Sequence, residues 1–363
     1  MDLDKGILKN EETISLALRS LYARYGYVQY RMSRFEPYDL YAQNRSFIAG
    51  DRILTFTDRG GRLMALRPDV TLSIIKNTRG DDRMRKVWYT ENVYRVPRGG
   101  DGFQEIRQTG LECIGTVDLY TMGEVLMLAA RSLETIAEEY VLEVSHMGIL
   151  TGLLEARRVP PALAGEILVA FGEKNPHAVR ELCRQGGMSD EAEALFSALC
   201  VMGGPAEETL PQLLALPLPA AGRAAAEELA AVCRLLKTFG SFRVEADLSV
   251  TNDTDYYNGI LFRGFVDGIA APVLSGGRYD HLLNRMGKSG AAIGFAVYLS
   301  ELERLIDREG EYEADTLLLY GDGCDPAAVA ERVKELAAEG KTVRVQPKGK
   351  AEIRCRETEE VTG

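Results

Sequence analysis

Histidine is scarce in this chain, with three among 363 residues, and none stands at metal-ligand spacing from a cysteine. The six cysteines, Cys113, Cys183, Cys200, Cys233, Cys324 and Cys355, form no C-x-x-C pair. A zinc site is thereby disfavoured, and reduced thiols are expected. No apolar run approaches the ~18 residues of a membrane span. The opening MDLDKGILKN also lacks the charged-then-apolar layout of a signal peptide, so the expected compartment is the cytoplasm. An excess of positive charge is missing as well, since 43 Lys and Arg stand against 54 Asp and Glu, a net charge of −11. That balance disfavours broad nucleic-acid binding, although a local basic patch is compatible with it. The P-loop pattern is absent, GDGCDP is too short a glycine match for a dinucleotide site, and no internal repeat is visible.

What is present is a chain long enough for two or three structural units, with 46% hydrophobic residues. Ile14, Leu18, Leu21, Tyr22 and Tyr25 share one helical face between a capping Asn10 and Gly26. YVQYRM alternates like a half-buried strand, and ILTFTDRGGRLMAL reads as a hairpin turning at Asp58–Gly61. LRPDVTLSIIKN predicts a strand end passing into a helix with Asp69 as its cap. Strand signals run from Val87 to Gly115 around the glycine-rich VPRGGDG, and Tyr120–Tyr140 predicts a long amphipathic helix. The stretch 151–238 is rich in Ala, Leu and Glu and predicts a helical insertion, between core segments 1–150 and 239–311. From 312 to 363 one β-α-β unit is expected.

Five stretches place polar residues on otherwise apolar elements: Arg67–Thr71, Tyr94-Arg95, Gln104–Glu112, Asp255-Tyr256-Tyr257 and Gly276–Asp280. On a strand, Gln108, Gly110 and Glu112 share a face, and the missing side chain at Gly110 is expected to leave room for a small ligand. Adjacent on a strand, Tyr256 and Tyr257 are expected to point to opposite faces, one toward a ligand and one packed behind it. Enclosed carboxylates such as Asp69 and Glu112 attract a cation or an ammonium group. Each stretch alone also has a plain structural reading. LRPD serves as a strand end with a helix cap, GGRYD as a loop whose Arg pairs with its Asp, the tyrosines as packing, and Arg95 as a surface or ion-pair arginine.

Taken in order, LRPDVT, YR followed by RQTGLECIG, DYYNGILF, GGRYD and IGFAV resemble the histidyl-tRNA synthetases of class II, over roughly Glu11 to Leu305. The resemblance implies an α+β fold: an antiparallel class II synthetase-like sheet flanked by helices, a helical insertion, and a C-terminal anticodon-binding domain, here reduced to the short β-α-β unit. It places Asp69, Thr71 and Gln108 at the ammonium group of histidine. Glu112 and Tyr256 fall at its imidazole, with Tyr257 adjoining, and Arg95 is retained in the second motif. These residue types suit the task, with acceptors for an ammonium and an acid plus a phenol for a ring with two nitrogens.

The same resemblance marks losses. Asn252 stands where the family carries an activating arginine. Tyr298, Ser300 and Glu301 occupy the last glycine, glutamate and arginine of the third motif, and Pro97 replaces a glutamate of the second. Adenylate formation needs cations on the phosphates, and a lost donor of this kind costs ~100- to 1000-fold. No catalytic residues, metal or cofactor are therefore assigned, and tRNA is not an expected partner. A synthetase-like chain with its histidine pocket kept and its ATP arginines lost resembles the regulatory subunit of ATP phosphoribosyltransferase. That family implies L-histidine binding and a homodimer within a hetero-oligomer. The partner it implies is the short catalytic subunit of ATP phosphoribosyltransferase, at the first step of histidine biosynthesis. The alternatives are a diverged histidyl-tRNA synthetase or histidine-activating ligase, and a stand-alone histidine sensor.

Overall fold

Leu18 and Tyr22, one turn apart, are buried on one face of the helix Asn10–Arg24, and Gly26 beyond its end takes a positive φ of 81°. The computed structural model describes residues 10–44, 53–78, 83–96, 102–250, 256–306, 312–350 and 353–361. Contacts divide the chain into two units, Met1–Leu302 and Glu303–Gly363.

The first unit is built on a nine-stranded sheet. At its centre, Arg85–Arg95, Gln104–Gly115, Ala291–Tyr298, Leu274–Arg278, Ile260–Val266 and Tyr140–His146 pair antiparallel in that spatial order. Val28–Gln29 extends one edge in parallel; Val244–Asp247 and Gly203–Pro205 extend the other. This is the α+β, class II synthetase-like architecture that the sequence led one to expect. The glycines of the central strands are where neighbouring aromatics lie. A Cβ at Gly276 would come within 2.8 Å of the Phe262 ring, and one at Gly277 within 2.6 Å of the Tyr257 ring. Residues 108–114 are buried on both faces, so the strand Gln104–Gly115 loses its alternation where it enters the core.

The hairpin forms as expected between Thr55–Thr57 and Leu63–Leu66, with the Asp58 carboxylate accepting the N–H groups of Gly60 and Arg62 at 2.8 and 2.9 Å. Three elements differ from the sequence reading. Of YVQYRM only Val28–Gln29 pairs as strand. The long helix runs over Leu119–Ile136 and stops before Tyr140, where VLEVSH instead forms a central strand. In the second unit a third strand, Cys355–Val361, pairs parallel to Ala314–Tyr320, on the side opposite Val343–Pro347. The tail is thus more than one β-α-β unit. Its helix Pro326–Ala338 starts as predicted, with the Asp325 carboxylate accepting from Ala327 N–H at 2.9 Å.

Between the strands Tyr140–His146 and Val244–Asp247 lie the helices Met147–Ala156, Pro161–Gly172, Pro176–Gln185, Asp190–Cys200, Ala206–Ala215 and Ala220–Phe239. The short strand Gly203–Pro205 ties this helical stretch back to the main sheet. No described helix is long and apolar enough to cross a membrane.

Candidate functional site

Pro68 ends the strand Leu63–Leu66, and the chain turns into the short helix Thr71–Asn77 against the central sheet. The turn is anchored by Arg67, which is fully buried and donates to the Ser33 carbonyl at 2.7 Å, to Glu91 Oε2 at 2.9 Å and to the Asn92 carbonyl at 2.8 Å. A planar fork with three acceptors is a rigid fastening, and it fixes the two residues that follow. Asp69 accepts the Leu72 N–H at 2.8 Å, as a cap does, although Val70 is the residue at the helix boundary. Thr71 lies inside the helix and donates its hydroxyl to Glu112 Oε1 at 2.8 Å.

Glu112 is the centre of the site. It is 2% exposed, and its other oxygen accepts from the Tyr279 hydroxyl. The carboxyl fits because Gly294 faces it across the sheet, where a Cβ would stand 2.7 Å from Glu112 Cδ and closer still to Oε2. Burial pushes the Glu112 carboxyl up to about 8, against the pull of the Tyr279 and Thr71 hydroxyls and helped by the charge of Asp69. Burial also raises the Asp69 carboxyl, while the Leu72 N–H and the Arg95 and Arg67 guanidiniums draw it down. The charge of Arg95 acts on Asp69 without an ion pair between them, and the Arg95 Nε–H is buried with no hydrogen-bond partner among the described residues.

Tyr256 and Tyr257 differ from expectation. They precede the strand Ile260–Val266 rather than lying on it, so strand alternation does not apply. Their ring centroids are 4.7 Å apart, Tyr256 is 5.8 Å from Tyr279, and both pack on the same apolar cluster as Tyr89 and Tyr279. Burial holds both phenols above their ordinary value, with Asp69 and Glu112 adding to the shift. The gap foreseen at Gly110 is filled. Tyr89 is the cross-strand partner of Gly110, and a Cβ there would meet Tyr89 Cζ at 2.7 Å. Space for a ligand therefore does not open at Gly110.

The structure brings Asp69, Thr71, Arg95, Glu112, Tyr256 and Tyr257 together. Gln108 is buried on the same strand as Glu112, in register with Glu91 and Tyr298, and no hydrogen bond among the described residues ties it to Asp69 or Glu112. Tyr279 and Tyr89 were missed as site residues. GGRYD contained Tyr279, but its partner Glu112 is 167 residues away, and the Tyr89 position follows only from strand register. The Arg278–Asp280 pair of that segment is formed at 2.8 Å, although Arg278 closes a strand and Asp280 opens a helix rather than sharing a loop. Tyr298 donates to or accepts from Ser275 Oγ at 2.5 Å, and Ser300 Oγ accepts the Arg107 N–H at 2.9 Å. Asn252, Asp255 and Pro97 lie outside the described residues. No group of three His, Cys, Asp or Glu side chains is arranged to hold a metal ion among the described residues.

The family model described as Histidyl-tRNA synthetase matches residues 1–302. An ATP phosphoribosyltransferase regulatory subunit from Moorella thermoacetica is 33% identical over 303 residues, covering 79% of this chain and 75% of the relative. The chain belongs to the histidyl-tRNA synthetase-like family of ATP phosphoribosyltransferase regulatory subunits. An ATP phosphoribosyltransferase regulatory subunit/histidyl-tRNA synthetase from Bacillus halodurans superposes with a TM-score of 0.76 at 23% identity, over 100% of this chain and 97% of that one. A chain of the ATP phosphoribosyl transferase (HisG:HisZ) complex from Thermotoga maritima gives 0.62 at 21%, over 82% and 98%. At these identities the two structures establish the shared fold. In this regulatory-subunit family member, the third-motif positions carry Tyr298, Ser300 and Glu301, none of which is a cation.

Proposed function

We propose that this chain is the non-catalytic regulatory subunit of a cytoplasmic ATP phosphoribosyltransferase, that it binds L-histidine in the site around Glu112, and that it assembles as a homodimer with the short catalytic subunit. The observation that carries the ligand assignment is the buried Arg95 Nε–H, which lacks a partner among the described residues and whose guanidinium charge acts on the Asp69 carboxyl. A buried carboxylate and an unsatisfied guanidinium donor in one site match the ammonium and carboxylate of an amino acid, because a buried donor left unpaired costs ~1–3 kcal/mol. Glu112 and the phenols of Tyr256 and Tyr257 supply an acid and hydroxyls for a ring with two nitrogens, and each Glu112 oxygen has a second lone pair beyond its Thr71 or Tyr279 bond. Gln108 belongs to the same set through its strand.

Withholding of chemistry follows from charge. Asn252 and Glu301 stand where cations are needed to offset phosphate charge, and Glu301 would repel it. A site that holds histidine without activating it suits feedback control, in which histidine affinity and partner state are linked reciprocally. The names of the relatives, including the regulatory subunit from Moorella thermoacetica, point the same way. Histidine-dependent exchange of pyrophosphate into ATP is the discriminating assay. The proposal predicts none, together with calorimetric binding of histidine to the chain or to its complex. Robust exchange would establish a diverged synthetase or ligase instead.

A further inference from the structure

Away from the sheet site, the helix Ala206–Ala215 presents Leu210 and Leu214 one turn apart toward the helix Ala220–Phe239, which answers with Leu236. The chain then returns through Phe242 and closes a cavity of about 410 Å³ between the two helices and the strand Val244–Asp247. Leu210 and Leu236 are 6% and 2% exposed, so the walls are held by packing on their outer sides. This volume lies in the range of small-molecule sites, ~300–1,000 Å³.

The mouth of the cavity is cationic in a chain of net charge −11. Arg234 and Lys237 are three residues apart on one helix, where like charges repel. Lys237 is offset by Glu207 at 2.8 Å, whereas Arg234 makes no hydrogen bond or ion pair among the described residues. Both cations are felt at the Cys233 thiol on the cavity wall, which burial pushes up to about 12 against their pull. A thiol in that state is protonated, so the cavity is suited to binding and not to nucleophilic chemistry.

We propose that this cavity is a second ligand site, taking a small amphipathic anion whose apolar body fills the space between Leu210, Leu214, Leu236 and Phe242 and whose carboxylate meets Arg234 and Lys237. An apolar neutral molecule would leave Arg234 unanswered, and a small polar anion would leave the apolar walls wet. The inference is independent of the histidine site.

The test uses the full chain with 4-phenylbutyrate and its neutral counterpart 4-phenyl-1-butanol, each titrated by calorimetry. The acid binds more tightly than the alcohol. Arg234→Gln, at an exposed position, weakens the acid about 1.5-fold to fivefold and leaves the alcohol unchanged. Leu214→Trp fills the cavity and removes both, with thermal unfolding confirming that each variant is folded. Histidine titrates unchanged into both variants, which separates this site from the one around Glu112. Absence of acid binding to the unmodified chain at millimolar concentration overturns the proposal, as does acid binding that neither variant weakens.

Discussion

Gly294→Ala is the sharpest perturbation of the sheet site. The new methyl group would stand 2.7 Å from Glu112 Cδ, closer to Oε2, and closer to the Leu111 carbonyl oxygen than any real Cβ approaches. The Leu111 carbonyl is backbone in the middle of a sheet and yields only by straining the strand pair, whereas the Glu112 carboxyl can swing away. Its movement breaks the bonds from Thr71 and Tyr279. Overpacking of a well-packed core costs ~1–3 kcal/mol. Two lost bonds at a buried carboxyl add about as much again, for a total of about 2–6 kcal/mol. Urea unfolding at unchanged m-value measures the loss, and calorimetry measures the accompanying fall in histidine affinity. The control is Gly165→Ala in the helix Pro161–Gly172, where a Cβ meets nothing within 4 Å. That substitution stabilises by about 0.5–1 kcal/mol. If Gly294→Ala unfolds within ~0.5 kcal/mol of the unmodified chain, a span surface substitutions commonly cover, then Glu112 is not locked by its surroundings and the reasoning fails.

Three further outcomes follow from single residues. Glu112 has an ordinary value of 4.5 and is raised to about 8 in the folded chain, so folding favours its protonated form. That stabilisation is full below pH 4.5 and is lost as pH rises through 8; Glu112→Gln therefore flattens the decline of unfolding free energy between pH 5 and 8. Arg67→Met strands Glu91 and two carbonyls and costs ~3–5 kcal/mol in denaturant unfolding, and Arg67→Lys recovers little because one ammonium does not reproduce the fork. Asp118→Ala removes the cap that accepts Thr121 N–H at 2.8 Å and costs about 1 kcal/mol, read as a lower unfolding midpoint.

Local rules carried the reading furthest where partners are near in sequence. The Asp58 turn, the Asp325-Pro326 helix start and the helix closed by Gly26 are set within a few residues, so their chemistry is visible in the chain itself. The central sheet was legible as an ensemble of motifs, whose resemblance implied the antiparallel core that the strands form. What failed depends on register and on distance. The helix was carried as far as Tyr140 and residues 141–146 were not read as a strand, because their place in the sheet comes from pairing with Ile260–Val266, more than a hundred residues away. Gly110 looked like a vacancy because the strand that places Tyr89 over it is chosen by tertiary pairing. The Tyr256-Tyr257 pair was judged by strand alternation, yet it sits in the approach to the strand, where both rings are free to face one cluster. Cys355–Val361 reads as a charged tail, CRETEEV, and becomes a strand through its pairing with Ala314–Tyr320.

The role itself is most directly tested by assaying the short catalytic subunit from the same organism for transferase activity, with this chain added in increasing amounts and with histidine present or absent. The proposed role predicts activity that rises to a stoichiometric plateau and is inhibited by histidine in the assembled form. Activity of the catalytic subunit that is the same with and without this chain would contradict it.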